Sequence, residues 1–258
     1  MKKTLKILIA IPLLYLVALP IFFAKSIKAK SVTGIEIIIS DSAYYQFVTK
    51  DYLYNLLFGN SETIIGKPIE DVLLEDIEKK MQAVRELRVA EAYTTIDGKL
   101  KIWVEQRRPI MRVMPDAGGD YFIDEEGVVV RIRNLYNPRL HIVMGNININ
   151  QAMLSGVSVL DTAIKNSILK DIHYLVSYIR KDDFWSAQID QIYVDRSNKI
   201  DIIPRIGNHT VRLGAIEDFE KKLLNLKTFY TDVLPEVGWN KYSVINLEFK
   251  DQIVCKRR

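Results

Sequence analysis

Ser167-Ile168-Leu169-Lys170 is the first place in this 258-residue chain to look for chemistry. A lysine one helical turn after a serine can take its proton, as in the acyl-transfer enzymes that react with β-lactams. At 100° per residue, however, Lys170 points almost directly away from the apolar stripe of its segment, and Ser167 lies at the edge of that stripe. The Ser-Asp-Asn and Lys-Thr-Gly companions of such enzymes are also missing. A solvated helix face is the better reading.

The other candidates are weaker. Gly59 to Pro68 echoes a phosphate loop, but six residues separate Gly59 from Gly66, and Pro68 stands where a magnesium-binding hydroxyl belongs. An interhelix loop fits better. His141, His173 and His209 lie far apart without partners at metal-ligand spacing, and His173 is expected on the polar face of its helix. Surface or turn positions are expected for all three. Asp124-Glu125-Glu126 could hold a cation, yet Gly127 makes it read as a solvated turn. Asn208-His209-Thr210 is a glycosylation sequon, informative only in a host that glycosylates. Tyr44, Tyr45, Tyr52 and Tyr54 could form a contact surface, although half-buried body is the commoner place for tyrosines. No nucleophile–base pair, cofactor loop or metal cluster survives, so neither an enzyme nor a cofactor is expected.

The elements that would position these residues fall into two regions. Val32 to Ser40 is a β-branched run that suits a strand. Thr49 is placed to cap a helix over KDYLYNLLF, which ends at Gly59-Asn60. A second helix is predicted from Ile69 to about Val84, with Ile69, Leu73, Ile77, Met81 and Val84 as its apolar stripe. Two strands joined by Asp97-Gly98 follow, and Leu100, Ile102 and Val104 form the inner face of the second. Strand, helix, helix, strand, strand makes a small α+β unit with both helices on one sheet face. Pro109 marks its end.

The second region opens with a hairpin, Tyr121 to Asp124 and Val128 to Val130. A helix is predicted from Asp161 to about Arg180, and strands at 187–194, 199–204 and 210–213. Another helix runs from Ala215 to Leu234, with Pro235 just beyond its end. Tyr242 to Cys255 is the longest strand-like segment and comes last. It is expected to be an edge strand, with Ile245, Leu247, Phe249 and Ile253 facing inward. A closing strand capped by solvent and an edge that recruits a partner by strand addition are both open on the residues alone.

Ile7 to Ala24 contains no charge, follows Lys2, Lys3 and Lys6, and precedes Lys25, Lys28 and Lys30. It is long enough for a membrane anchor, residues 7–24, behind a cytoplasmic start at residues 1–6. A cleaved signal peptide is the alternative, disfavoured by the bulky basic residues that follow. Residues 1–30 hold six lysines and no acid. Of the chain's 36 basic and 32 acidic residues, the remainder therefore keeps 30 and 32, a net of about −2. The overall charge of +4 belongs to the flanks of the apolar run, and nucleic acid is not an expected partner. The single cysteine, Cys255, rules out an intramolecular disulfide and, by its position, lipoprotein processing.

Several stretches together resemble the FtsQ/DivIB family of bacterial cell-division proteins. They are Val104 to Ile110 at the junction, Tyr121 to Gly127, Gly207 to Gly214 with Lys221-Lys222-Leu223, and the tail from Gly238 through Tyr242, Ile245-Asn246-Leu247 and Gln252 to Lys256. The tail is similar to the Bacteroidetes-type branch. The resemblance implies an α+β protein with a single transmembrane helix, a POTRA domain (β-α-α-β-β) at 32–108, and a mixed β domain at 109–258 with an antiparallel-rich sheet and two helices. It also implies a non-catalytic scaffold in the inner membrane, with its bulk periplasmic, at the division septum. Such a scaffold binds FtsB/FtsL-type proteins and helps to control septal peptidoglycan synthesis, without a small-molecule substrate. The expected partner-binding residues are Tyr242, Asn246, Glu248, Phe249, Lys250, Asp251, Gln252 and Val254. Ile7 and Ala24 bound the expected anchor. An envelope enzyme using Ser167 and Lys170, and a POTRA-bearing assembly or secretion factor, are the alternatives.

Overall fold

The computed structural model describes residues 31–59, 64–132, 138–165 and 167–258. They form two compact units that divide between Arg107 and Arg108.

The first unit has strand β1 (Gly34–Ile39), helix α1 (Lys50–Phe58), helix α2 (Leu74–Gln82) and strands β2 (Leu87–Thr94) and β3 (Lys99–Gln106). The Thr49 hydroxyl accepts the Tyr52 N–H and starts α1, satisfying a donor that the first turn leaves unpaired. Strands β2 and β3 are an antiparallel hairpin around Asp97-Gly98. Strand β1 pairs with β3 in parallel, which gives the order β1-β3-β2. Leu100, Ile102 and Val104 are fully buried against Leu53, Ile77 and Met81.

The predicted helix from Ile69 is broken. A 3-10 turn covers Ile69–Asp71, the chain is extended at Val72 and Leu73, and α2 begins only at Leu74. The break turns Leu73 out to 66% exposure, so it is not a core residue. The apolar periodicity across 69–73 belongs to a turn that lies over the core, where Ile69, Val72 and Leu74 pack partly buried.

The second unit is a mixed nine-stranded sheet with the order β12-β11-β10-β9-β8-β7-β4-β5-β6. Its strands are β4 (Pro109–Pro115), β5 (Tyr121–Asp124), β6 (Val129–Arg131), β7 (His141–Gly145), β8 (Ile189–Val194), β9 (Ile200–Pro204), β10 (Thr210–Gly214), β11 (Tyr242–Asn246) and β12 (Val254–Arg257). Pairs β4–β7, β7–β8 and β10–β11 are parallel, and the remaining neighbours are antiparallel. The helices are α3 (Gln151–Leu154), α4 (Ile168–Lys181), α5 (Asp183–Gln188) and α6 (Phe219–Thr228). Helix α6 runs on through a π-helical segment, Phe229–Val233, into α7 (Leu234–Val237). Leu169, Ile172, Leu175, Val176 and Ile179 of α4 join Leu223, Leu226 and Tyr230 in one core with the strands' inner faces.

Two helix starts differ from expectation. Helix α4 begins at Ile168, after an Asp161-capped turn, and α6 begins at Phe219, after Asp218 in the left-handed region. Pro235 lies within the last helical turn, α7. Its missing N–H and its ring, which would crowd the carbonyl of Thr231, fit the π widening just before it.

No helix among the described residues is long and apolar enough to cross a membrane. Helix α4 has 14 residues, about 21 Å at 1.5 Å per residue, and Phe219–Val237 carries charges throughout. The expected transmembrane helix from Ile7 to Ala24 lies outside the described residues. The fold class is corrected to a POTRA-like unit and a mixed β unit. The single-pass inner-membrane location that rested on that helix is not retained.

Candidate functional site

Val211, Ile245 and Leu247 are buried, and they fix how the chain ends. Strand β11 runs parallel to β10, with Val211 opposite Ile245, so the core holds β11 firmly. The expected long strand from Tyr242 to Cys255 does not continue past Asn246. The Asn246 side chain accepts the Glu248 N–H at 2.8 Å, and Asp251 adopts a left-handed conformation (φ +58°). Together they turn the chain back. Strand β12 then pairs antiparallel with β11, with Ile245 opposite Cys255 and Asn246 opposite Val254.

The consequence is an open edge made of four residues. Among the described residues strand β12 is the outermost on its side of the sheet, and Val254, Lys256 and Arg257 are exposed on it. Tyr242 pairs with Arg257, and the Arg258 N–H donates to the Lys241 carbonyl. Strand N–H groups alternate in direction, so the Cys255 and Arg257 N–H groups face away from β11. Ser243 reaches back to the Lys256 carbonyl at 3.2 Å, so β12 is held from the inner side.

The expected partner residues separate into two sets. Tyr242, Asn246 and Val254 lie on the hairpin strands, while Glu248, Phe249, Lys250, Asp251 and Gln252 lie on the loop between them. That loop walls a groove of about 250 Å³ against Glu217, Asp218, Lys221, Lys222 and Asn225. Ion pairs brace it: Lys221 with Asp251 at 2.5 Å and Lys199 with Glu248 at 2.6 Å. Each lysine lowers its partner's carboxyl pKa, chiefly through the hydrogen bond between them. Lys222 donates to the Leu213 and Ala215 carbonyls, and burial lowers its pKa. Phe249 is 52% exposed and not the inward-facing residue that strict alternation predicts, because it sits in the turn.

The chemical candidates resolve into structural roles. The Ser167 hydroxyl accepts the Leu169 N–H at the start of α4, the work of an N-cap. Asp124 accepts the N–H groups of Glu126 and Val128 and closes its hairpin. All three histidines are buried, not on the surface. His141 Nδ1 lies 3.0 Å from the Ile189 carbonyl, His173 Nε2 3.0 Å from the Asp124 carbonyl, and His209 Nε2 2.7 Å from Tyr230 Oη. Each ring bonds an acceptor or donor in a different part of the fold, which spacing along the chain does not reveal. Tyr44, Tyr52 and Tyr54 are exposed. Among the described residues, no group of three or more His, Cys, Asp or Glu could hold a metal ion.

A family model described as FtsQ/DivIB, C-terminal related, matches residues 108–256, more than half of the chain. The chain belongs to the FtsQ/DivIB family. A second model, described as a POTRA-like domain, matches residues 30–105. A comparison with curated proteins gave no match. The family is generally non-catalytic and acts in cell division, in agreement with structural roles for Ser167 and the histidines. The carboxy-terminal hairpin, with its open edge and the groove beside it, is the candidate site that the described residues offer.

Proposed function

We propose that this FtsQ/DivIB-family protein binds FtsB/FtsL-type division proteins by adding a strand of the partner to β12, and in this way helps to control septal peptidoglycan synthesis. The observation that supports it most is the open β12 edge, which presents the Cys255 and Arg257 N–H groups beside a braced groove. In strand addition main-chain bonds supply much of the affinity, and alternate side chains supply the choice of partner. Val254, Lys256 and Arg257 are the side chains in place to choose. Tyr242 and Asn246 shape the edge from β11, and Glu248 to Gln252 wall the groove beside it. The POTRA-like unit and the β unit, divided at Arg107/Arg108, serve as the scaffold's two domains. The similarity of the tail at Gly238 to Tyr242 supports a place in the Bacteroidetes-type branch.

A proline at Arg257 removes an outward N–H, whereas a proline at Lys250 changes only the loop. Capture of the FtsB/FtsL-type partner by the full-length chain should be lost with Arg257→Pro and largely kept with Lys250→Pro. Circular dichroism should show both variants folded. Equal capture by both places the partner elsewhere.

A further inference from the structure

The end of β12 is tied down next to a buried histidine. The Arg258 guanidinium donates to the Asn208 carbonyl, and the Asn208 N–H donates to Asn240 Oδ1 at 3.2 Å. The Arg258 N–H completes the tie on the Lys241 carbonyl. One residue beyond Asn208, His209 turns inward and is 4% exposed. Its ring stands edge-on to Tyr230, with centroids 5.5 Å apart, and Tyr230 packs in turn on Trp239 at 5.3 Å.

The surroundings of the ring favour its neutral form. Burial raises the Tyr230 phenol above its ordinary pKa, so its O–H stays protonated, and its oxygen shares a 2.7 Å hydrogen bond with His209 Nε2. The other ring nitrogen, Nδ1, is buried without a hydrogen bond of ordinary geometry. A second proton has no good place to go. A protonated ring carries an N–H on both nitrogens: Nε2–H can donate to the phenol oxygen, but Nδ1–H is left buried without a hydrogen bond, and the charge itself is buried. The charge would also sit beside Arg258, the cation that ties the last strand.

We propose that His209 is a proton-sensitive latch on the carboxy-terminal strand: neutral it lets the Asn208–Arg258 tie close, and protonated it pushes that tie open. The groups that face it are Tyr230 from the π-helical segment, Trp239 from the turn after α7 with an uncharged ring and carbonyl, and Arg258 from the end of β12. Burial lowers the His209 pKa most, the Trp239 carbonyl raises it in part, and Arg258 adds a smaller lowering. A lowered folded-state value means that stability is complete above about 6.5, the unfolded histidine value, and declines as pH falls toward the folded value. Acid therefore loosens the strand whose edge the proposed partner would use. That last consequence rests on the reading of β12 given above, whereas the latch itself does not.

The test is amide hydrogen exchange on the full-length chain without partner, corrected for intrinsic rate, at pH 7.5 and pH 5.0. Protection of the Lys256 and Arg258 amides should fall severalfold more than that of the β9 amides. His209→Gln can still accept from Tyr230 and does not titrate, so its protection ratio should not change with pH. A wild-type ratio that ignores pH, or an unchanged pH response in His209→Gln, overturns the proposal. Should His209→Gln fail to fold, Arg258→Gln gives a second reading. The ring titration of His209 followed by NMR should then move to higher pH, and an unmoved midpoint overturns the latch. Since no partner is present, the result is independent of whether β12 binds one.

Discussion

Asn246 stands opposite Val254 across the last two strands, eight positions along the chain from it. That pairing turns one expected strand into a hairpin and moves the open edge to the final four strand residues. The Asn246 side chain on the Glu248 N–H, at 2.8 Å, is what begins the reversal.

The POTRA-like unit should respond to truncation at Leu100 and ignore it at Leu73. Leu100 is fully buried and Leu73 is 66% exposed. Leu100→Ala should cost about 2–5 kcal/mol, whereas Leu73→Ala should stay within about 0.5 kcal/mol. Denaturant melts of the two variants check this. A Leu73→Ala loss of core size would mean that the helix does extend back to Ile69.

Gly145 ends β7 with φ +112°, and a Cβ there would run into the Val194 carbonyl of the neighbouring strand. A backbone atom cannot swing aside as a flexible side chain can. Gly145→Ala should therefore cost about 1–3 kcal/mol or more, from strained backbone and a parted strand pair. The same substitution at Gly118, where φ is +92° and nothing lies within 4 Å, should cost less because only the backbone term applies. Thermal melts that rank Gly118→Ala as the worse variant would contradict this packing.

Acid should weaken the β unit before its carboxylates titrate. His141 is buried with Nδ1 on the Ile189 carbonyl, and its pKa is lowered mainly by burial, with Arg180 and Arg205 pushing the same way. The unfolded chain then binds more protons than the folded one between the lowered value and about 6.5, so stability falls as pH drops through that window. Urea midpoints should decline from pH 7 to pH 5, and His141→Gln should flatten part of the decline. A midpoint that rises over this range contradicts the burial of neutral histidine.

Much of this fold is legible in short-range pattern. Thr49, the Asp97-Gly98 turn and the alternation at Leu100, Ile102 and Val104 each specify their element locally, and tertiary packing agrees with them. The candidate site was legible only in part. Asn246, and Lys250-Asp251 as turn residues, carried the signal for a hairpin, but the apolar alternation from Ile245 to Ile253 masked it. Leu73 shows the same failure in a helix, since periodicity cannot tell a helical turn from a 3-10 turn lying over the same core. The histidines were out of reach because their partners, Ile189, Asp124 and Tyr230, are 48, 49 and 21 positions away.

The central claim is that a partner strand adds to β12, and amide exchange of the full-length chain with the FtsB/FtsL-type partner tests it most directly. Outward N–H groups on an edge strand alternate, so an added strand should protect every second amide. The account predicts new protection at Cys255 and Arg257, with little change at Val244 and Ile245, which β10 and β12 already flank. Protection that appears on the POTRA-like unit while Cys255 and Arg257 exchange as before would contradict it.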